Sequence, residues 1–204
     1  MLINTLNLKG RLWYDFLYQF GTEAITLTGK KILGDERRQW ILDKLITKQA
    51  PITGGEFAKQ TNVSRQVIVS DITLLKAKGE PIIATSQGYL YMPHSNQDNM
   101  VERTVACQHS PDRSEEELFL LVDHGVTVKD VKIEHGVYGD LTASIMVSNR
   151  KEVEQFMKKI EETGASFLSE LTDGVHLHTL MANSEQALET AEKALQDAGF
   201  LIQA

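Results

Sequence analysis

The sequence predicts an α+β protein in which an N-terminal winged helix-turn-helix precedes an α/β open-sheet effector domain. Two observations support this fold class. From Gly34 to Met92, three helical segments are followed by two short β-prone runs around Ser86-Gln87-Gly88. After residue 100, strand and helix patterns alternate, and a polar stretch at 92–100 separates the halves.

These patterns divide the chain into four parts. They are an N-terminal extension (1–33), a winged helix-turn-helix (34–92), a linker (93–100) and an effector domain (101–204). The extension is aromatic-rich and lacks clean caps, so it is read either as an arm on the first domain or as a product of a mistaken translation start.

Caps and apolar spacing locate the helices of the first half. The run 40–46, WILDKLI, places its apolar residues on one helical stripe. Thr53, followed three residues later by Glu56, is a capping-box pattern that begins a second helix. Ser64 is the predicted N-cap of a third helix, which ends before Gly79.

The effector domain is predicted to mix strands with helices. The expected elements are a strand at 101–108, a helix at 114–123, strands at 127–135 and 141–148, a helix at 150–163, a strand at 175–181 and a helix at 184–197. Because a hairpin lies among them, we expect an open sheet covered by helices on one face.

The charge is distributed unevenly along a chain whose net charge is -7. Residues 30–92 carry ten Lys or Arg against six Asp or Glu, whereas residues 93–204 carry nine against twenty. The first half is therefore the one suited to a polyanion. The single Cys107 excludes a disulfide framework, and neither a membrane span nor a secretory signal is recognisable, so we expect a cytoplasmic protein.

The third helix is expected to lie in the DNA major groove, as the second helix of a helix-turn-helix does. Arginine suits the acceptors of guanine and glutamine suits adenine, while serine suits phosphate. The alternative is a helical scaffold with an ordinary solvated polar face. The combined caps, wing and local charge favour double-stranded DNA as the partner. The candidate DNA-binding residues are Ser64, Arg65, Gln66, Ser70, Gln87 and Tyr89.

Several polar residues of the second half are candidates for a ligand site. Alternation along a strand puts His176 and His178 on one face, where they could share a metal ion or could simply be solvated. Glu117 could serve a capping box with Ser114 instead of a site. His135, beside a glycine-flanked turn with Tyr138, could bind a small ligand or only water.

Four segments carry a resemblance to a known family. These are "SRQVIVSDI" with "IIATSQGY", "HSPDRSEEEL", "HGVYGDL" and "GVHLHTL". The chain from residue 34 to 204 resembles the niacin-responsive transcriptional repressors, which join a biotin-repressor-type winged helix to a three-histidine (3H) domain. Two positions depart from the family pattern: Asp173 replaces a commoner glycine, and Gly136 stands where proline is usual.

The resemblance implies a homodimeric repressor that binds palindromic operator DNA when nicotinic acid, its co-repressor, is bound. It also implies a divalent transition metal, nickel or zinc, with His109, Glu117, His176 and His178 as ligands. His135 and Tyr138 match a family turn suited to the effector. Two alternatives stay open: a hydrolase that uses the same metal to activate water, and a repressor that responds to another small acid.

Overall fold

The computed structural model of the chain describes residues 33–93 and 100–202. Nearly all of the predicted extension and of the predicted linker lies outside these residues. The helices are α1 (Gly34–Lys48), α2 (Gly54–Thr61), α3 (Arg65–Ala77), α4 (Ser114–Asp123), α5 (Arg150–Thr163) and α6 (Glu185–Asp197). The strands are β1 (Ile82–Thr85), β2 (Gly88–Tyr91), β3 (Val101–Gln108), β4 (Thr127–His135), β5 (Gly139–Val147) and β6 (Val175–Ala182).

The helix-turn-helix is built from α1, α2 and α3, with the antiparallel hairpin β1–β2 as its wing. The predicted capping box is confirmed, because Thr53 accepts from the Glu56 amide and the Glu56 carboxylate accepts from the Thr53 amide. Ser64 caps α3, as predicted. A buried ion pair of 2.5 Å between Arg37 of α1 and Asp71 of α3 joins these helices beside their apolar core.

The effector domain has one four-stranded antiparallel sheet in the order β3-β6-β4-β5. One sheet face shares an apolar core with α4, α5 and α6. On the other face Val175 and Leu177 are exposed. The predicted fold class is confirmed: an N-terminal helix-turn-helix followed by a mixed helix and sheet domain.

Two details of the expected local structure were wrong. The strand expected at 141–148 begins earlier, because the β4–β5 turn is tight enough for Gly139 to pair with His135. Ser114 does not cap α4 with Glu117. A short 3-10 helix, Pro111–Arg113, runs directly into α4, so Ser114 is already helical and Glu117 is buried.

A bulge interrupts the pairing of β4 with β5. Val128 pairs with Val147 and Asp130 pairs with Ser144, so Ile145 and Met146 stand opposite the single residue Lys129. Met146 adopts a left-handed backbone with φ of 49°. A bulge releases main-chain groups from the ladder, and it leaves the Ile145 carbonyl free to bond elsewhere.

No helix within residues 33–93 and 100–202 combines the length and the apolar character that crossing a bilayer requires.

Candidate functional site

Three imidazole rings converge on one carboxylate in the effector domain. The Nε2 atoms of His109, His176 and His178 lie 2.7, 3.4 and 3.3 Å from Oε2 of Glu117. All four side chains are buried. The structure therefore brings together the four residues that the family resemblance implies as metal ligands, from the end of β3, the first turn of α4 and the middle of β6.

Main-chain carbonyls orient each of the three rings. The Nδ1 atoms of His109, His176 and His178 lie 2.8 Å from carbonyl oxygens, which belong respectively to Ser110, Gly174 and Asp130. A carbonyl can only accept, so Nδ1 carries the proton and the lone pair of a neutral ring is on Nε2. Such outer hydrogen bonds are typical of histidines that bind metals through Nε2.

The cluster needs a positive charge at its centre. Burial alone would raise the pKa of Glu117, but the charge of His178 and the hydrogen bonds of the three rings hold that pKa well below its usual value. Burial likewise opposes the charged forms of His109 and His178, yet the nearby Glu117 raises the pKa of both rings. Three converging lone pairs and a buried carboxylate are stable only with protons or a cation between them.

The donor set fits a divalent transition metal. Donors bound about 2.1 Å from an ion lie about 3.0 Å apart in octahedral and about 3.4 Å apart in tetrahedral coordination, which is close to the separations of His176 and His178 from Glu117. The second oxygen of Glu117, Oε1, is buried without a hydrogen-bond partner. A cation would satisfy this oxygen, and three imidazoles with one carboxylate suit zinc, nickel or cobalt better than magnesium or calcium.

Gly174 holds together two of the segments that carry the cluster residues. Its carbonyl oxygen accepts a hydrogen bond from the His109 backbone amide and lies 2.8 Å from Nδ1 of His176. It has φ of 86°, and a Cβ built there would lie 2.2 Å from the carbonyl oxygen of His109. Only glycine fits this close approach. Asp173, the departure from the family pattern, itself adopts a left-handed conformation with φ of 51°.

A pocket of about 320 Å³ opens beside the four-residue cluster. His109, Glu117, His176 and His178 form its polar end. The rest of the lining is mainly apolar and comes from β4, β5, α4, α5 and the segment before β6. Its residues are Ser114, Leu118, Val131, Ala143, Ile145, Phe156, Ile160, Ser166, Phe167, Leu168, Ser169 and Leu171. This volume and lining suit a small, partly apolar molecule with one polar end.

His135 and Tyr138, the residues expected to bind the effector, do not line this pocket. They lie at the β4–β5 turn, where the Nδ1 atom of His135 accepts hydrogen bonds from the amides of Val137 and Tyr138. The Tyr138 side chain is 75% exposed. The geometry gives His135 a role in shaping the turn, while an effector role for the pair stays a prediction.

The start of α3 presents the expected polar residues to solvent. Arg65, Gln66 and Ser70 are exposed, and Ser64 caps the helix. The Arg65 side chain lies next to Gly54, since a Cβ on that glycine would be 3.5 Å from both Arg65 Cγ and the Tyr89 ring. The reading residues of a helix-turn-helix occupy this position, and their DNA contacts stay a prediction.

The wing contacts the effector domain, which sequence reasoning did not anticipate. Ser86 Oγ donates a 2.6 Å hydrogen bond to the main-chain oxygen of Ile145. The side-chain amide of Gln87 donates a 3.2 Å hydrogen bond to the main-chain oxygen of Glu152. The Lys159 ammonium donates to the Ser86 carbonyl. Gln87, expected to contact DNA, thus already has a protein partner.

Tyr89, the second wing residue expected at DNA, is half-buried against the core of the helix-turn-helix. Its main chain bridges to Ile52, with hydrogen bonds of 2.8 and 2.9 Å. Gly88 permits this bridge, because a Cβ there would lie 2.6 Å from the Ile52 oxygen. Tyr89 therefore fixes the wing on the helices of the helix-turn-helix, whatever further contact it makes.

Comparison with known proteins assigns both halves of the chain. Residues 102–204 match the model of the 3H domain, and residues 37–90 match a helix-turn-helix domain. The chain is 61% identical over 173 residues to transcription repressor NadR of Bacillus subtilis, an alignment that covers 84% of this chain and 96% of that protein. It is 38% identical over 173 residues to probable transcription repressor NiaR of Thermotoga maritima, covering 85% and 97%.

Proposed function

The chain belongs to the family of helix-turn-helix transcription repressors that carry a 3H domain, and on this basis we propose that it represses transcription with nicotinic acid as co-repressor. The genes would be those of NAD biosynthesis or niacin uptake. The single observation that carries the proposal is the buried cluster of three histidines and Glu117 beside an apolar pocket, in a chain whose other domain exposes a DNA-reading helix.

Binding to double-stranded operator DNA is supported by the exposed first turn of α3. Arg65 and Gln66 stand there next to the cap Ser64, with main-chain amides available to a phosphate. The modest positive charge of the helix-turn-helix would give a single copy of the chain weak affinity for DNA. We therefore propose a homodimer on a two-fold operator, which doubles the phosphate contacts.

The pocket supports a small aromatic acid as the effector. Its apolar walls suit a ring, while none of the described residues that line it is a lysine or arginine. A carboxylate that enters such a site needs another positive partner. We propose that His109, Glu117, His176 and His178 hold a divalent metal, nickel or zinc, which supplies that positive charge when bound.

The same pocket has a direct connection to the wing. Ile145 and Phe156 line it, and both also line the groove between the wing and β5. The Ile145 carbonyl accepts the hydrogen bond of Ser86. A ligand that repositions β5 or α5 would therefore change the wing's support. Because a ligand shifts only states for which its affinity differs, nicotinic acid must bind the DNA-competent arrangement more tightly.

The deciding experiment measures binding of the full chain to a candidate operator in metal-defined buffer with nicotinic acid, nicotinamide or NAD. We expect operator affinity to rise with nicotinic acid when zinc or nickel is present. If nicotinic acid left operator affinity unchanged and another of these compounds raised it, that other compound would be the effector. No response to any of them would overturn a ligand-gated repressor of this class.

A pocket variant and its control sharpen the test. Ala143→Leu adds bulk to the pocket wall and should abolish the response to nicotinic acid while metal binding persists. Thr104→Leu adds a leucine to β3, where Thr104 is exposed on the opposite sheet face and lines neither the pocket nor the groove, and it should leave the response intact. Equal responses in the two variants would mean that the effector binds elsewhere, with the turn of His135 and Tyr138 as the next candidate.

The hydrolase alternative draws less support from the geometry. Among the described residues that line the pocket, Glu117 carries the only carboxylate, and it is placed as a ligand among three rings. A metal-bound water would therefore lack a separate carboxylate as its general base. Sustained hydrolysis by zinc-loaded protein, unchanged in Arg65→Ala, would reverse this preference.

A further inference from the structure

Cys107 lies next to the metal-binding cluster but does not line the pocket. It pairs directly with His176 across β3 and β6, so the two side chains share a sheet face. Three possible ligand atoms lie within 4.8 Å of one another: the Cys107 sulfur, a carboxylate oxygen of Glu117 and a ring nitrogen of His176. Cys107 is fully buried, on the core side of the cluster.

We propose that Cys107 is a fifth protein donor to the metal centre, and that its sulfur binds the ion from the core side. The inference rests on the metal centre proposed above, and it changes the ligand chemistry of that centre. On binding, the thiol proton passes to solvent and a sulfur–metal bond forms. No change in oxidation state is involved.

The unpartnered oxygen of Glu117 is a second observation that points to a cation beside Cys107. Glu117 Oε1 is buried without a hydrogen-bond partner, although three rings surround the other oxygen. A divalent ion bound by both the carboxylate and a thiolate is electrically neutral, which reduces the cost of burying it.

A thiolate in the ligand set changes which metals the site prefers. Sulfur is a soft donor and favours zinc, cobalt, nickel or copper, whereas a set made only of imidazole and carboxylate also accepts manganese. Cys107 would thus select against hard divalent cations. The sulfur on the core side of the site would determine which metal binds, while the pocket side of the metal stays available to the effector.

Cobalt substitution tests the proposal directly. The chain contains one cysteine, so a thiolate-to-cobalt charge-transfer absorption in the full-length Co²⁺ protein can come only from residue 107. We expect this band in the parent protein and its loss in Cys107→Ser. The same substitution should lower zinc and cobalt affinity by about tenfold or more, and manganese affinity far less.

Val105→Ala provides the matched control. Val105 is buried on the same strand and the same face, paired with His178, and carries no donor. It should keep the cobalt band and the metal affinity, and melting of the metal-free proteins shows whether each variant folds. Should Cys107→Ser misfold, the parent spectrum alone still decides. Cobalt bound without the band overturns the role of Cys107 only, whereas absence of any metal binding overturns the metal centre itself.

Discussion

The Ser86 hydroxyl, at the tip of the wing, donates a 2.6 Å hydrogen bond to the main-chain oxygen of Ile145, whose side chain lines the pocket beside the cluster of three histidines and Glu117. One residue of β5 therefore contacts both the wing and the candidate effector site. The β4–β5 bulge makes this possible, because it frees the Ile145 carbonyl from the strand ladder.

Weakening this contact should reduce communication between the pocket and DNA. In Ser86→Ala, we expect the factor by which nicotinic acid raises operator affinity to fall about fivefold, since a neutral hydrogen bond contributes about 1 kcal/mol. Lys159→Gln, which weakens the same contact from α5, should act in the same direction. Fluorescence anisotropy of labelled operator, with and without the acid, measures the factor.

Thr190→Ala is the control for that prediction. It also removes one hydroxyl, but this hydroxyl donates to the Gln186 carbonyl within α6. An unchanged nicotinic acid factor in both Ser86→Ala and Lys159→Gln would show that the wing contact does not transmit the signal.

Arg65→Ala should weaken operator binding by about 1 to 3 kcal/mol, or roughly 5- to 150-fold, because one arginine-to-guanine contact contributes this much discrimination. Metal binding should be unchanged, because Arg65 lies at the start of α3. Titration of operator into each protein measures the first effect and calorimetry the second. Lys158→Ala removes a charge that pairs with Glu162 and should leave operator affinity nearly unaltered.

Glu117→Gln should reduce zinc or nickel affinity more than about a hundredfold, since changes in the outer shell alone cost about 10- to 100-fold. The amide keeps the shape of the side chain but loses the charge that the three rings face. Glu116→Gln is the matched control on the preceding residue, where the carboxylate is exposed and paired with Arg113. Equal affinities in the two variants, measured by competition with a chelating dye, would contradict the assignment.

Gly174→Ala should destabilise the protein by about 2 to 5 kcal/mol and lower its metal affinity. The left-handed backbone costs part of this, and the overlap of the new Cβ with the His109 oxygen costs the rest. Gly164→Ala shares the left-handed backbone, with φ of 62°, but has open space at Cβ. Thermal melting with and without zinc should show a smaller loss for Gly164→Ala and no change in its metal response.

The local structure of the chain could be predicted from its sequence to within a few residues. Periodicity and caps located the helices and strands of both domains, because Thr53, Ser64 and the alternating faces of β6 are signals within a short window. The joint position of His109, Glu117 and the His176/His178 pair was implied by family resemblance, whereas their spacing left it open.

The features that sequence reasoning missed depend on contacts between distant residues. Cys107 meets His176 only because β6 inserts beside β3, and periodicity does not report strand order. Glu117 turns inward although its sequence equally suits a capping box. The bond from Ser86 to Ile145 joins residues 59 apart in different domains, and no local signal marks it.

The central position of β6 affects the order in which the protein matures during translation. β6 separates β3 from the β4–β5 hairpin, so the sheet lacks its middle strand until residues 175–182 have left the ribosome. The helix-turn-helix, complete by residue 91, can fold well before that, since domains generally fold in the order of synthesis. A nascent chain can therefore contain a folded helix-turn-helix before its effector domain is complete, and a chain that stops before Val175 would keep the helix-turn-helix without the proposed effector control.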